Sequence, residues 1–171
     1  DKCYCNHWMH NEFLNLKDEK MSKSLGNVIT GRAFMEKYHP EVLKFLMLSN
    51  HYRALFNINE EKLSQCLMGL ARIYSALRDG ETVINGKESS ESPDEQLKKR
   101  CDEADTLIES AMNDDFNTVE VMAQIFDVIR LFNSLNLLKK KRNDKNIATA
   151  NYFMDWVKGH GLMMSLFNLG P

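Results

Sequence analysis

The 171-residue sequence has no excess of charge of either sign: 22 Lys and Arg against 24 Asp and Glu leave a formal net charge of -2. No global basic field therefore draws in nucleic acid, and any such contact must come from local patches. Long hydrophobic runs are missing too. No apolar stretch approaches the ~18 residues of a membrane span, so no membrane is expected among the partners. Cysteine is scarce, with four in all: Cys3, Cys5, Cys66 and Cys101. They form no secreted disulfide framework, which makes a reducing cytoplasm the expected compartment. The opening "DKCYCNHWMH" has neither a start methionine nor the apolar core of a signal peptide. With the abrupt "SLFNLGP" at the other end, this points to a piece of something longer. There is no internal repeat.

What is present is an ordinary globular composition, 43% apolar, arranged mostly at helical spacing. Residues 3–17 alternate and carry Tyr4, Trp8 and Phe13, which reads as a strand or short hairpin. Thr30 is placed to cap a short helix, "GRAFMEKY". Pro40 opens the next, "PEVLKFLMLSN", which buries Val42, Leu43, Phe45, Leu46 and Met47. "HYRALFNI" reads as an irregular link. Asn59 caps a long helix to about Arg78, with Leu63, Cys66, Leu67, Leu70, Ile73, Tyr74 and Leu77 on one stripe. Residues 79–92 read as a surface loop. Ser92-Pro93 announces a helix to about Met112, with Leu97, Cys101, Ala104, Leu107 and Ile108 inward. "NDDFNT" breaks the chain, with Phe116 expected to plug the core and Thr118 to cap a helix through Leu138. A last helix spans about 147–158 and stops at Gly159-His160-Gly161. The fold class is mainly α, its second part an antiparallel helical bundle.

Two stretches carry candidate chemistry. Cys3, Cys5, His7 and His10 are metal-capable residue types, but C-x-C-x-H-x-x-H is not the spacing of a closed zinc site, and the alternation suits a strand. No metal ligand is assigned. The second stretch is "EKMSKSLGN", Glu19 to Asn27. Two lysines and two serines surround one methionine ahead of a Gly-Asn turn that permits left-handed backbone. Such a loop is costly to order unless an anion orders it. Lysine is a point charge on a long stem, able to reach phosphate from a moving loop. Charge that develops on phosphate oxygens and on leaving pyrophosphate is what such a lysine stabilises.

"KMSKS", Lys20 to Ser24, resembles the signature of class I aminoacyl-tRNA synthetases. "WMHNEFLNLKDEKMSKSLGN" (8–27), "KYHPEVLKFLMLSNHYR" (37–53), "NEEKLSQCLMGLARIYSALRD" (59–79) and "DDFNT" (114–118) resemble the cysteinyl-tRNA synthetase family in particular. The resemblance implies that residues 1–30 are a strand and loop remnant of a Rossmann catalytic domain carrying the ATP-clamping loop. It implies a stem-contact segment at 31–58 and a DALR-like, tRNA-binding helical bundle at 59–171. Lys20, Met21, Ser22, Lys23 and Ser24 would bind ATP, supplied with Mg2+, and Lys20 and Lys23 would be catalytic, with Lys23 on the phosphates. The implied reaction is ATP-dependent activation of L-cysteine to cysteinyl-adenylate and its transfer to tRNA(Cys), by a cytoplasmic monomer.

The departures are equally specific. The family's H-x-G-H phosphate signature is absent, and "KGHG" at 158–161 has the wrong order and place. The zinc ligands that select cysteine in the family would lie outside this chain, which alone is expected to be inactive. Arg53, Lys139, Lys140 and Arg142 are candidate tRNA contacts. Arg53 could instead hold the junction, and the basic run 139–142 could complete a helix C-terminus. Two other readings fit the loop. One is a ligase coupling cysteine to an amino-sugar; the other is a non-catalytic RNA-binding module.

Overall fold

The computed structural model describes residues 4–16, 19, 20 and 30–167, with Leu16, Glu19 and Lys20 described by their backbone alone. Three short strands and six helices follow one another as β1 (Leu14–Leu16), β2 (Glu19–Lys20), α1 (Gly31–Met35), α2 (Pro40–Leu48), β3 (Phe56–Ile58), α3 (Glu60–Ile84), α4 (Glu95–Asn113), α5 (Thr118–Ser134) and α6 (Asp144–Met163). A 3-10 turn at Leu137–Lys139 joins the last two. The chain is mainly α, as its periodicity implies.

The strands form one small sheet in the order β2-β1-β3. β1 pairs antiparallel with β2 and parallel with β3, in the register Leu14↔Phe56, Asn15↔Asn57, Leu16↔Ile58. A parallel pair requires a crossover, and α1 and α2 supply it. The stretch expected to be an irregular link therefore ends in a strand. Its Phe56 is buried at 5% exposure. Of the strand or short hairpin expected over 3–17, the described residues form the three-residue β1, which pairs antiparallel with β2 beyond it. Tyr4, Trp8, Met9 and Phe13 ahead of it are exposed.

The helices begin where side chains can cap them. Thr30, His39, Asn59, Asp94, Asn117 and Asn143 each accept a bond from an amide of the first turn. Several boundaries differ from the sequence reading; α5, for one, ends at Ser134 rather than Leu138. α3 continues six residues past Arg78, because Gly80 lies against the Met154 side chain of α6 and Val83 is buried. It stops at Asn85, which takes the left-handed conformation with φ 45. The helix that Ser92-Pro93 announces, α4, is capped by Asp94; Asn117, not Thr118, caps α5. α6 runs through Gly159-His160-Gly161 instead of stopping there. His160 bonds Asp105 of α4 at 2.8 Å, and Trp156 Nε1 donates to the same oxygen at 2.7 Å. That carboxylate holds the glycine-containing turn to its neighbour.

Consecutive bundle helices alternate in direction. α4 and α5 are joined by the short turn 114–117 and stay in contact back to Arg100, which meets Gln124 and Asp127 in the middle of α5, so that pair is antiparallel. Arg142, just before α6, reaches the Ile84 carbonyl at the end of α3. Across the bundle α4 and α6 run parallel, since Asp94 meets Thr149 and Asp105 meets Trp156. One core joins α1 and α2 to the bundle, from Phe34 and Leu46 through Ile73, Leu97 and Ile125 to Phe153 and Phe167. Leu67, Leu107 and Phe116, expected inside, are exposed instead.

The stretch Thr118–Lys139 is long and apolar enough for a membrane span by composition, although no such run was expected. Its Val121, Ile125, Val128, Ile129 and Phe132 are the core of the bundle.

Candidate nucleic-acid interface

The lysine-serine loop leaves the sheet at its edge strand. β2 ends at Lys20, whose backbone pairs with Asn15 of β1. Met21, Ser22, Lys23 and Ser24 lie outside the described residues, as does Cys3. Among the described residues, no three His, Cys, Asp or Glu side chains are grouped closely enough to hold a metal ion.

Arg53 sits between α2 and β3, where they meet the bundle. The chain turns there because Asn50 Nδ2 donates to the His51 and Ala54 carbonyls at 3.1 and 3.2 Å. Across from it, Asp115 in the α4–α5 turn adopts φ 57, a left-handed backbone that Asp tolerates better than most residues. Its carboxylate gathers three neighbours. The Tyr52 hydroxyl donates to it, Arg53 Nε lies 2.9 Å away, and His51 Nε2 lies 3.9 Å away. The bond to Tyr52, followed by the charge of Asp115, raises the Arg53 pKa, so the guanidinium is permanently charged. Thr118 completes the clamp, its hydroxyl donating at 2.8 Å to the Leu48 carbonyl at the end of α2. "DDFNT" is thus a latch between α2 and the bundle. Arg53 holds the junction through a carboxylate and a hydroxyl rather than through carbonyls, and its side chain is still 66% exposed.

The basic run divides. Arg142 donates to the Ile84 carbonyl, a cation at the C-terminus of α3, where the helix dipole favours it. Lys139 and Lys140 are exposed on and after the 3-10 turn. The four cations singled out from sequence are not brought together into one patch by any contact among the described residues.

A different set of cations does converge. A groove of about 670 Å³ opens where α2 and β3 meet α3 and α5. Its cations are Lys62, Arg72 and Arg130, and none of its lining residues is acidic. The floor is apolar, built from Phe45, Phe56, Cys66, Phe126 and Ile129. Gly69 makes that floor possible. A Cβ there would stand 3.2 Å from the Phe45 ring and 3.3 Å from the Phe126 ring, so its absence lets α2 and α5 close on α3. Lys62 Nζ lies 4.9 Å from the Phe56 ring centroid, within cation–π range. Arg130 pairs with Asp127 at 3.0 Å on an exposed surface. Burial pushes the Cys66 thiol up to about 11, so it lines the floor as a neutral apolar group.

Sequence reading passed over these cations, although a signal was present. Lys62, Gln65, Gly69 and Arg72 recur at three, four and three, a second stripe on α3 beside the apolar one. Nothing in the sequence says that α5 brings Arg130 to the same place.

Comparison with known proteins adds the following. Residues 1–68 match the tRNA synthetases class I (C) catalytic domain, and residues 108–168 match the DALR domain. A cysteine–tRNA ligase of Bdellovibrio bacteriovorus is 39% identical over 166 residues, which are 97% of this chain and 34% of that protein. One from Geobacter sulfurreducens is 36% identical over 171 residues, 99% of this chain and 35% of the relative. One from Acinetobacter baylyi is 42% identical over 130 residues, 76% and 26% respectively. The chain spans about a third of the length of the first two.

Proposed function

Since the chain belongs to the cysteine–tRNA ligase family over the third of its relatives' length that it spans, we propose that the full protein joins L-cysteine to tRNA(Cys) at the expense of ATP. The cysteine carboxylate attacks the α-phosphate of ATP, and pyrophosphate leaves with the electron pair of the broken phosphoanhydride bond. The terminal ribose hydroxyl of the tRNA then attacks the cysteinyl carbonyl, and AMP leaves. Residues 1–30 contribute the end of the catalytic domain, 31–58 the stem contact and 59–171 the tRNA-facing bundle.

The observation that carries this reading is "KMSKS" at Lys20 to Ser24, directly after an edge strand paired into the β2-β1-β3 sheet. Lys23 closes on the phosphates as charge develops on the leaving group, so it stabilises the transition state more than bound ATP. Lys20, Met21, Ser22 and Ser24 complete the ATP contact, with Mg2+ carried by the nucleotide. Zinc, which would select the cysteine thiolate, belongs to residues outside this chain. The protein works as a cytoplasmic monomer. Lys139 and Lys140 reach tRNA phosphates; Arg53 and Arg142 contribute to the tRNA surface while holding the latch and the end of α3.

Lys23→Ala in the full protein is expected to slow cysteine-dependent ATP–pyrophosphate exchange by two or more orders of magnitude, about 1.4 kcal/mol of lost transition-state binding per tenfold. Its thermal midpoint should stay where it is. An unaltered exchange rate would remove Lys23 from this role.

A further inference from the structure

We infer that Tyr52 is a positioning residue for the lysine-serine loop: through Asp115 it ties the sheet from which the loop leaves to the α4–α5 turn of the bundle. Tyr52 carries one bond in each direction. Its backbone carbonyl accepts from the Glu12 amide at 2.9 Å, just ahead of β1. Its hydroxyl donates to the Asp115 carboxylate, 63 positions along the chain. The residues after Tyr52 continue the first contact. The Phe56 amide donates to the Phe13 carbonyl at 3.3 Å, and from there β3 runs in register with β1. β1 in turn pairs with β2, where Asn15 stands opposite Lys20, the first residue of "KMSKS". A contiguous run of hydrogen bonds and paired backbone therefore leads from Asp115 to the base of the loop.

The sheet needs such an anchor. Its strands are three, two and three residues long, and strands that short hold little order of their own. Phe56 fixes one corner by burial; Tyr52 fixes the approach to it. The Tyr52 ring is held by its neighbours. His51 stacks on it with centroids 4.9 Å apart, and the Arg53 guanidinium carbon lies 5.4 Å from its centroid. The hydroxyl accepts from Arg53 Nε at 2.9 Å while it donates to Asp115, and Arg53 Nη2 donates to the same carboxylate at 3.1 Å. Asp115 is fixed in turn, since Thr118 in the same turn bonds the Leu48 carbonyl. Such a network acts on a reaction rate through position alone, and misplacing a reacting group by about 1 Å lowers a rate by up to about a hundredfold. This deepens the proposed function and rests on it: Lys23 is the group whose placement the latch sets.

The test is cysteine-dependent ATP–pyrophosphate exchange by the full protein carrying Tyr52→Phe, alone and combined with Lys23→Ala. Tyr52→Phe removes the hydroxyl and keeps both the ring and the bond from Glu12. It is expected to lower kcat by about tenfold, while the KM for cysteine holds. Added to Lys23→Ala, it should change the rate by less than about twofold, because the group it positions is gone. Asp115→Asn keeps a residue type that tolerates left-handed backbone; it reads the same tie from the other end should Tyr52→Phe not fold. Circular dichroism melting sets the assay temperature well below every midpoint, so the folded fraction is equal throughout. An unaltered kcat overturns the inference. So does an equal loss with and without Lys23, which is the mark of a structural role alone. The unmodified protein separates the two claims. Exchange that the latch variants leave untouched keeps the ligase and removes the latch; no exchange at all removes both.

Discussion

Asp115 shows how one residue can join two regions that the sequence keeps 62 positions apart. Its left-handed backbone and short carboxylate are legible as turn chemistry. Its partners, Tyr52 and Arg53, are not. Cys101 and Tyr152 make the same point inside the bundle. Burial pushes the Cys101 thiol up to about 12, with Asp105 and Asp102 adding to it. Burial likewise pushes the Tyr152 hydroxyl up to about 12. Both groups are neutral in the folded state at neutral pH, and raised pKa values mean that the folded state holds its protons longer than the unfolded state. Their contribution is complete below the ordinary values of 9.0 for Cys101 and 10.0 for Tyr152 and is lost as pH rises through about 12. The unfolding free energy from urea titration should hold up to about pH 9 and then fall, by as much as about 1.4 kcal/mol per pH unit for each group. Cys101→Ala should flatten that fall. Identical alkaline slopes for the two proteins would mean that Cys101 is not one of the groups responsible.

At the scale of the element, the caps at Thr30 and Asn59 were readable because caps are local: a side chain and an amide three residues on. Helix ends were not. Glycine costs a helix backbone entropy, so Gly80, Gly159 and Gly161 all read as interruptions, yet all three lie within helices. The environment of each decides what it does. A Cβ on Gly159 meets nothing within 4 Å, so Gly159→Ala should stabilise the chain by about 0.5–1 kcal/mol. A Cβ on Gly161 would stand 2.5 Å from the Phe167 ring and 2.8 Å from the Leu166 carbonyl oxygen, a contact with backbone that cannot simply swing away. Gly161→Ala should destabilise by about 1–3 kcal/mol. Thermal melting of both variants checks the pair; equal shifts would mean that the turn at 164–167 does not pack on α6 as described.

The whole molecule is bound by contacts distant in sequence. Buried Glu41 of α2 accepts from the Tyr74 hydroxyl of α3 at 2.7 Å and from the Phe167 amide. α2, α3 and the residues after α6 therefore share one carboxylate. The two tryptophans report on different environments: Trp156 is 9% exposed in the bundle, and Trp8 is 68% exposed ahead of the sheet. Unfolding in urea should move Trp156 emission in one transition that coincides with loss of helix signal, and Trp156→Phe should abolish most of that change. Trp8→Phe should leave it intact. A transition that persists in Trp156→Phe would show tertiary structure around Trp8 that its exposure does not indicate. By itself the sequence determined the mainly helical class, the caps at Thr30 and Asn59, the apolar stripes and the family, because each is written in residues near one another along the chain. The KMSKS string needs five neighbours and no fold to be recognised. Only the tertiary structure decided that Asp115 latches Arg53, that α3 and α6 run through their glycines, and that Arg130 joins Lys62 and Arg72. The reason is physical: those outcomes depend on which helix faces which, and packing of the whole core selects that arrangement after local preferences have been spent.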